Sequence, residues 1–136
     1  MEIDGIAYVT CEQYMMAEKA RLFGDREAET AILSTNNPRQ QKVLGRKVRG
    51  FDEARWTAAR EEIVYRANLA KFRQHAELRE LLLNTNNHII AEASPRDSIW
   101  GIGMAEDHPN VSDTSLWGLN LLGKALMRVR ESLRNG

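Results

Sequence analysis

Helix starts recur at short intervals through the first half of this chain, and they constrain its fold more than any other feature. Thr10 precedes a helical run, and Gln13 stands at the position that completes a capping box. The run is expected to reach Phe23, where Gly24 stops it. Asp25 then caps a second helix, Arg26 to Leu33. Asn37-Pro38 supplies a cap and a proline in the first helical position, with Gln40 following, for a short helix ending near Gly45. Asp52 caps a longer helix, and Phe51 and Trp56 occupy the positions of a hydrophobic staple. Ala59, Ile63, Ala67 and Ala70 continue that helix at 3–4 spacing on one face. Ahead of all these, residues 2–9 read as strand, broken by an Asp4-Gly5 turn, with Ile6 to Val9 running inward.

The second half is less strongly punctuated. A helix is expected over about Ala76 to Leu83, and Thr85-Asn86-Asn87 is turn chemistry. His88 to Glu92 reads as a short strand and Ile99 to Gly103 as another. Residues 105–114 are polar, include Pro109 and predict a loop. The last helix is expected from about Ser115 to Leu133, with Leu119, Leu122, Leu126, Val129 and Leu133 as its buried stripe. There is no repeat, low-complexity tract or linker. The expectation is one α+β domain over 1–136, mostly helical with a small sheet.

A chain of 136 residues is long enough to bury a core and form a pocket. Nineteen basic and nineteen acidic residues cancel, which argues against wholesale wrapping of nucleic acid but leaves room for a local anion site. Cys11 is the lone cysteine, so no intrachain disulfide forms. It reads as a half-buried structural thiol rather than a nucleophile. No signal-peptide pattern is seen, and no run approaches the ~18 apolar residues of a membrane-spanning helix. The expected setting is the cytoplasm, with no membrane partner.

Chemistry could reside in several places. Glu12 and Lys19 lie seven residues apart on one helix, close to two turns, and so share a face. An acid and an amine on one face suit proton transfer or carbonyl chemistry, although the pair alone reads more simply as surface charge. Glu92-Ala93-Ser94-Pro95-Arg96-Asp97-Ser98-Ile99-Trp100-Gly101-Ile102-Gly103 leaves a strand, turns, and presents two carboxylates and a tryptophan. Trp100 could stack on a planar ring, and Gly101 could let a ligand approach the backbone. Equally, the stretch could be a turn whose Asp97 caps a helix and whose Trp100 fills the core. Trp117, Gly118 and Asn120 open the expected last helix, whose amides would suit phosphate. Gly123 inside that helix instead points to close packing. Arg39, Lys42, Arg46, Lys47 and Arg49 form a basic run that could hold a phosphate or be a solvated face. His75, His88 and His108 are scattered without metal-ligand spacing, so neither metal nor cofactor is expected.

Taken in order, these segments resemble one family. Cys11-Glu12-Gln13-Tyr14-Met15-Met16-Ala17-Glu18-Lys19-Ala20 is similar to the signature helix of the NADAR (YbiA-like) family. So are Gly45-Arg46-Lys47-Val48 with Phe51-Asp52 and Trp56, then Lys71-Phe72. Glu92-Ala93-Ser94, Asp97, Trp100-Gly101-Ile102-Gly103 and Trp117-Gly118-Leu119-Asn120-Leu121-Leu122-Gly123 resemble its C-terminal signature. The likeness spans nearly the whole chain in register. It implies a hydrolase that cleaves a bond between ribose C1 and a nitrogen, because the family includes an N-glycosidase of early riboflavin-pathway intermediates and enzymes that remove ADP-ribose from guanine. The substrate would be a small ribosyl phosphate or an ADP-ribosyl compound, including ADP-ribosylated nucleic acid. Relative to the family pattern, the chain is expected to lack an N-terminal strand segment.

Carried over by position, the resemblance implies catalytic roles for Glu12, Lys19 and Asp97. It implies substrate contacts from Trp56 and Trp100, with Glu92 and Asn120 as secondary candidates; Gly101, Arg46, Trp117 and Gly118 join the expected substrate-binding set from the reading of the residues themselves. Two further classes stand beside it: an inactive module that binds ADP-ribose or a nucleotide, and a helical interaction protein. A ligand-induced rise in melting temperature separates the third from the first two, and turnover separates those.

Overall fold

The computed structural model describes residues 1–136. The chain is mostly helical, with six α-helices and a two-stranded sheet. It packs as two compact units, Met1–Gln74 and His75–Gly136. None of its helices is long and apolar enough to cross a membrane.

The first unit opens with a hairpin. Strands β1 (Glu2–Ile3) and β2 (Ile6–Ala7) pair antiparallel, with Glu2 opposite Ala7. Asp4 and Gly5 both take positive φ, the geometry that two-residue hairpins favour. The sheet is shorter than expected, and only Tyr8 of the 6–9 stretch is buried; Ile6 and Val9 face water. Tyr8 sets its ring edge-on to the buried Tyr14.

Four helices follow: α1 (Cys11–Leu22), α2 (Arg26–Leu33), α3 (Pro38–Arg46) and α4 (Glu53–Gln74). Their starts are the ones the sequence marks. Thr10 Oγ1 accepts from the Gln13 amide at 2.9 Å. The Gln13 side chain reaches back one residue beyond the usual capping box and accepts from the Val9 amide. Asp25 accepts from Ala28, Asn37 from Arg39 and Gln40, and Asp52 from Arg55.

α1 lies at the centre of this unit and packs on α2, α3 and α4. Met16, Ala17 and Ala20 meet Ile32, Ile63 and Ala67 in the core. Small residues on α1 and α4 let the helix backbones approach closely. Two buried glutamines satisfy the polar groups this packing would otherwise strand. Gln13 Nε2 donates to the carbonyls of Ile32, Leu33 and Thr35, closing the C-terminal end of α2. Gln41 Nε2 donates to Thr35 O at 2.8 Å, and its Oε1 accepts from Thr10 Oγ1 at 2.7 Å, which pins α3 to the start of α1. The buried Asp25 also accepts from the Arg49 amide and guanidinium, and that guanidinium holds its carboxyl well below the usual carboxylate range.

The second unit holds α5 (Ala76–Leu83), a 3-10 turn (Thr114–Leu116) and α6 (Leu121–Asn135), with α5 packed on α6. Three expectations change here. His88 to Glu92 and Ile99 to Gly103 are irregular rather than strands. α6 begins at Leu121, not Ser115, because the preceding amides pair with a neighbouring loop instead of starting a helix. The buried stripe of α6 is therefore Leu121, Ala125, Val129 and Leu133, while Leu119, ahead of the helix, is 48% exposed.

Candidate functional site

The first unit gathers Glu12, Lys19, Arg46 and Trp56 around one face of α1. Thr10 fixes where α1 starts, so Glu12 falls in its first turn and Lys19 two turns later. α3 lies alongside because Gly45 has no side chain. A Cβ there would stand 2.0 Å from Met16 Sδ and 2.9 Å from its Cγ. That approach carries Lys42 and Arg46, one helical turn apart on α3, into electrostatic range of Glu12. α4 and the residues just ahead of it add the aromatic side: Lys19 Nζ lies 4.9 Å from the Phe51 ring centroid and 5.4 Å from that of Trp56.

Glu12 Oε1 is buried and has no hydrogen-bond partner. Burial pushes the Glu12 carboxyl above its ordinary value, while Lys42, Arg46 and Lys19 pull it back. Burial likewise lowers the Lys19 amine; Glu53 and Glu12 oppose that shift and Arg46 reinforces it. The two groups are thus moved toward each other's range, and such pairs suit acid–base work and amine nucleophiles. Cys11, beside Glu12 in sequence, is moved the other way for a nucleophile, since burial raises its thiol. The sequence groups Lys42 with a general basic run, marks Phe51 as a staple and motif residue without a site role, and does not mark Glu53. The one-turn spacing of Lys42 and Arg46 was the available signal. Arg49 of the same run is engaged with Asp25.

The packing at Gly45 gives a direct test. Gly45→Ala is expected to cost ~1–3 kcal/mol through overpacking against Met16. It should also lower activity by moving Lys42 and Arg46 away from Glu12. Urea unfolding of the single variant and of Gly45→Ala combined with Met16→Ala should show the pair to be less damaging than the sum.

The second unit gathers the remaining candidates, and most of their polar atoms hold a loop together. Asp97 Oδ1 accepts from the Ile99 and Trp100 amides at 3.0 and 2.9 Å. The Gly118 amide donates to Ile102 O, Leu119 to Ser98 O, Asn120 to Gly101 O, Leu121 to Ile99 O and Leu122 to Trp100 O. The Gly118 amide is therefore bonded within the protein rather than presented at a helix N-terminus, contrary to the expected phosphate cradle. Asn120, buried with φ 51°, accepts from the Glu92 amide through Oδ1 and donates to Ile90 O through Nδ2. Its side chain ties the 90–92 segment to the start of α6. Trp117 Nε1 donates to Val111 O. The Glu92 side chain is exposed, whereas its carbonyl accepts from the Ser94 and Ile102 amides.

The glycines serve the same packing. A Cβ on Gly118 would lie 2.4 Å from Ser98 O, and one on Gly101 2.8 Å from the carbonyls of both Asp97 and Glu92. The close contact expected at Gly123 is present, with Ile90 O 2.2 Å from where a Cβ would stand. No group of three or more His, Cys, Asp or Glu side chains converges on a point where a metal could bind.

The NADAR domain family matches residues 1–134. The chain belongs to the NADAR domain family. It is 46% identical, over 91% of its length and 74% of the relative's, to an N-glycosidase of Acanthamoeba polyphaga mimivirus. It is 41% identical to protein irg-1 of Caenorhabditis elegans, of which it spans 60%. The NMR structure of the Escherichia coli protein YbiA superimposes with a TM-score of 0.79 at 31% identity, covering 99% of this chain and 73% of that one. The E. coli protein is named an N-glycosidase, and 33% of the aligned residues are shared. The mostly helical fold with its small sheet is thus a NADAR fold, and the expectation of an N-glycosidase is met by these named relatives.

Proposed function

We propose that this NADAR chain hydrolyses the N-glycosidic bond of a small ribosyl phosphate or ADP-ribosyl compound whose base is joined to ribose C1 through an amino nitrogen. The buried, unpartnered Glu12 oxygen beside a desolvated Lys19 carries this reading. A buried carboxyl oxygen with no hydrogen-bond partner is costly to maintain in a fold and is suited to a developing cation.

Two routes use these groups. In the first, the departing nitrogen takes up a proton from solvent and leaves as an amine while positive charge builds on C1; ionised Glu12 stabilises that charge, takes a proton from the attacking water and later returns it to solvent. In the second, the ribose opens so that C1 is an imine of the base. The Lys19 lone pair adds to C1, and the base leaves as an amine carrying a proton. Water then hydrolyses the lysine imine, releasing the sugar and restoring the amine. Arg46 sits where it can meet a phosphate, and Trp56 forms an apolar wall beside Lys19. Asp97 and Trp100 enter through the family resemblance alone, as a second carboxylate and a stacking ring. The setting that suits such metabolites is the cytoplasm.

Base release should be followed by chromatography from a ribosylamino-pyrimidine phosphate and from ADP-ribosylated guanine in DNA. Borohydride added during turnover should leave a sugar adduct on Lys19 if the amine route operates. Its repeated absence from an active enzyme removes that route and leaves the first. A rise in melting temperature with ADP-ribose, but no base release from either compound, would identify a binding module instead.

A further inference from the structure

We propose that Phe51 is a substrate-contacting residue, the platform on which the planar base stacks beside Lys19; this rests on the N-glycosidase reading of the Glu12–Lys19 cluster. The ring is fixed in place from several directions. Gly50, with φ 77°, turns the chain in a conformation that side chains rarely adopt, next to Phe23 O. Asp52 then caps α4, which sets the direction in which Phe51 leaves the helix. The Phe51 ring meets Phe23 at 5.4 Å and 62°. Phe23 is itself held by the Arg55 guanidinium 5.4 Å from its ring centroid, and Arg55 donates to Leu22 O.

Despite these contacts Phe51 remains 44% exposed. A staple residue needs only apolar bulk and gains by burial. A ring held this firmly yet left in water is instead pre-organised for a flat partner, and every nucleobase offers a π-face. Its position fits the chemistry, because the Lys19 amine that would meet ribose C1 lies 4.9 Å from the ring centroid. A base attached at C1 would have to lie within reach of that ring. Trp56, the second ring near the amine, is less exposed and packs against the core, so it suits a wall better than a platform.

The test uses GMP as a binding probe and ribose 5-phosphate, which has no base, as an amine probe. Phe51→Leu keeps apolar bulk for folding, and its melting temperature is the control; Phe51→Trp keeps a stacking face. Calorimetry should show the Kd for GMP rising about tenfold or more in Phe51→Leu, in keeping with the loss of one base-stacking contact. Phe51→Trp should retain tight binding. Borohydride trapping of ribose 5-phosphate on Lys19 should be the same in both variants as in the wild type. Equal GMP binding in the wild type and Phe51→Leu, or no GMP binding at all, overturns the proposal. So does a parallel loss of trapping in Phe51→Leu, which would mean that the ring acts on the amine. If no protein traps the sugar but GMP binding still depends on Phe51, the platform stands and only the amine route falls.

Discussion

Glu12→Gln should reduce kcat by about 100- to 10,000-fold, the range spanned by positioned acid–base groups, while leaving the fold intact. The amide keeps the shape of the carboxyl but cannot carry charge to stabilise a cationic C1 or accept a proton from water. The acid limb of the pH–rate profile, set by the raised Glu12 carboxyl, should disappear with it. Stability should move in the opposite sense to activity. A carboxyl whose pKa is raised on folding binds its proton more tightly in the folded than in the unfolded chain. Its contribution is therefore complete below the ordinary carboxylate range and is lost as pH rises through the folded value. At neutral pH Glu12→Gln should thus be at least as stable as the wild type, and its melting temperature should vary less across the acidic range. Thermal unfolding at several pH values, set beside kcat, checks both. A variant that loses activity only in proportion to lost stability would remove Glu12 from the chemistry and make it a structural residue.

Asn120→Ala should have the largest effect on stability, ~3 kcal/mol, because it orphans the Glu92 amide and the Ile90 carbonyl together. It also places alanine at φ 51°, where a Cβ is strained. Asn120→Gly removes the same two hydrogen bonds without that strain and should be less damaging by ~1 kcal/mol. Urea unfolding of the two variants separates the bonding contribution from the backbone one. If both variants unfold at the wild-type midpoint, the side chain does not hold the 90–92 segment. Base release by either variant at subsaturating denaturant would then show how far the chemistry depends on this loop. Substitutions at Gly118 and Gly123 should resemble Asn120→Ala rather than Glu12→Gln, since a Cβ at either position runs into backbone.

Helix starts were legible because capping is local. Thr10, Asp25, Asn37 and Asp52 each satisfy amides two or three residues ahead, so sequence neighbours contain the whole interaction. The Glu12–Lys19 face was legible for the same reason, since helical periodicity fixes it once the cap is placed. The likeness of the motifs in order likewise fixed the family before any contact was known. The start of α6 was not legible. The helix was expected from about Ser115, but the amides of residues 118–122 pair with carbonyls of residues 98–102, and only long-range hydrogen bonding decides between that pairing and an earlier helix. The same interaction removed the expected strand at 99–103 and gave Gly118 a bonded amide in place of one presented to an anion.

The sequence by itself determined the family, the mostly helical fold, the positions of the first helices and the acid–amine face of α1. Only the tertiary structure showed that Glu12 has a buried oxygen without a partner, that Gly45 lets Lys42 and Arg46 approach it, and that Phe51 stands exposed beside Lys19. It also showed that Gln13, read from the sequence only as a capping-box residue, seals the end of α2, and that Gln41, unremarked in the sequence, pins α3. The division follows range: caps and periodicity act within a few residues. Burial and electrostatics depend on which distant segments the core brings within a few ångströms.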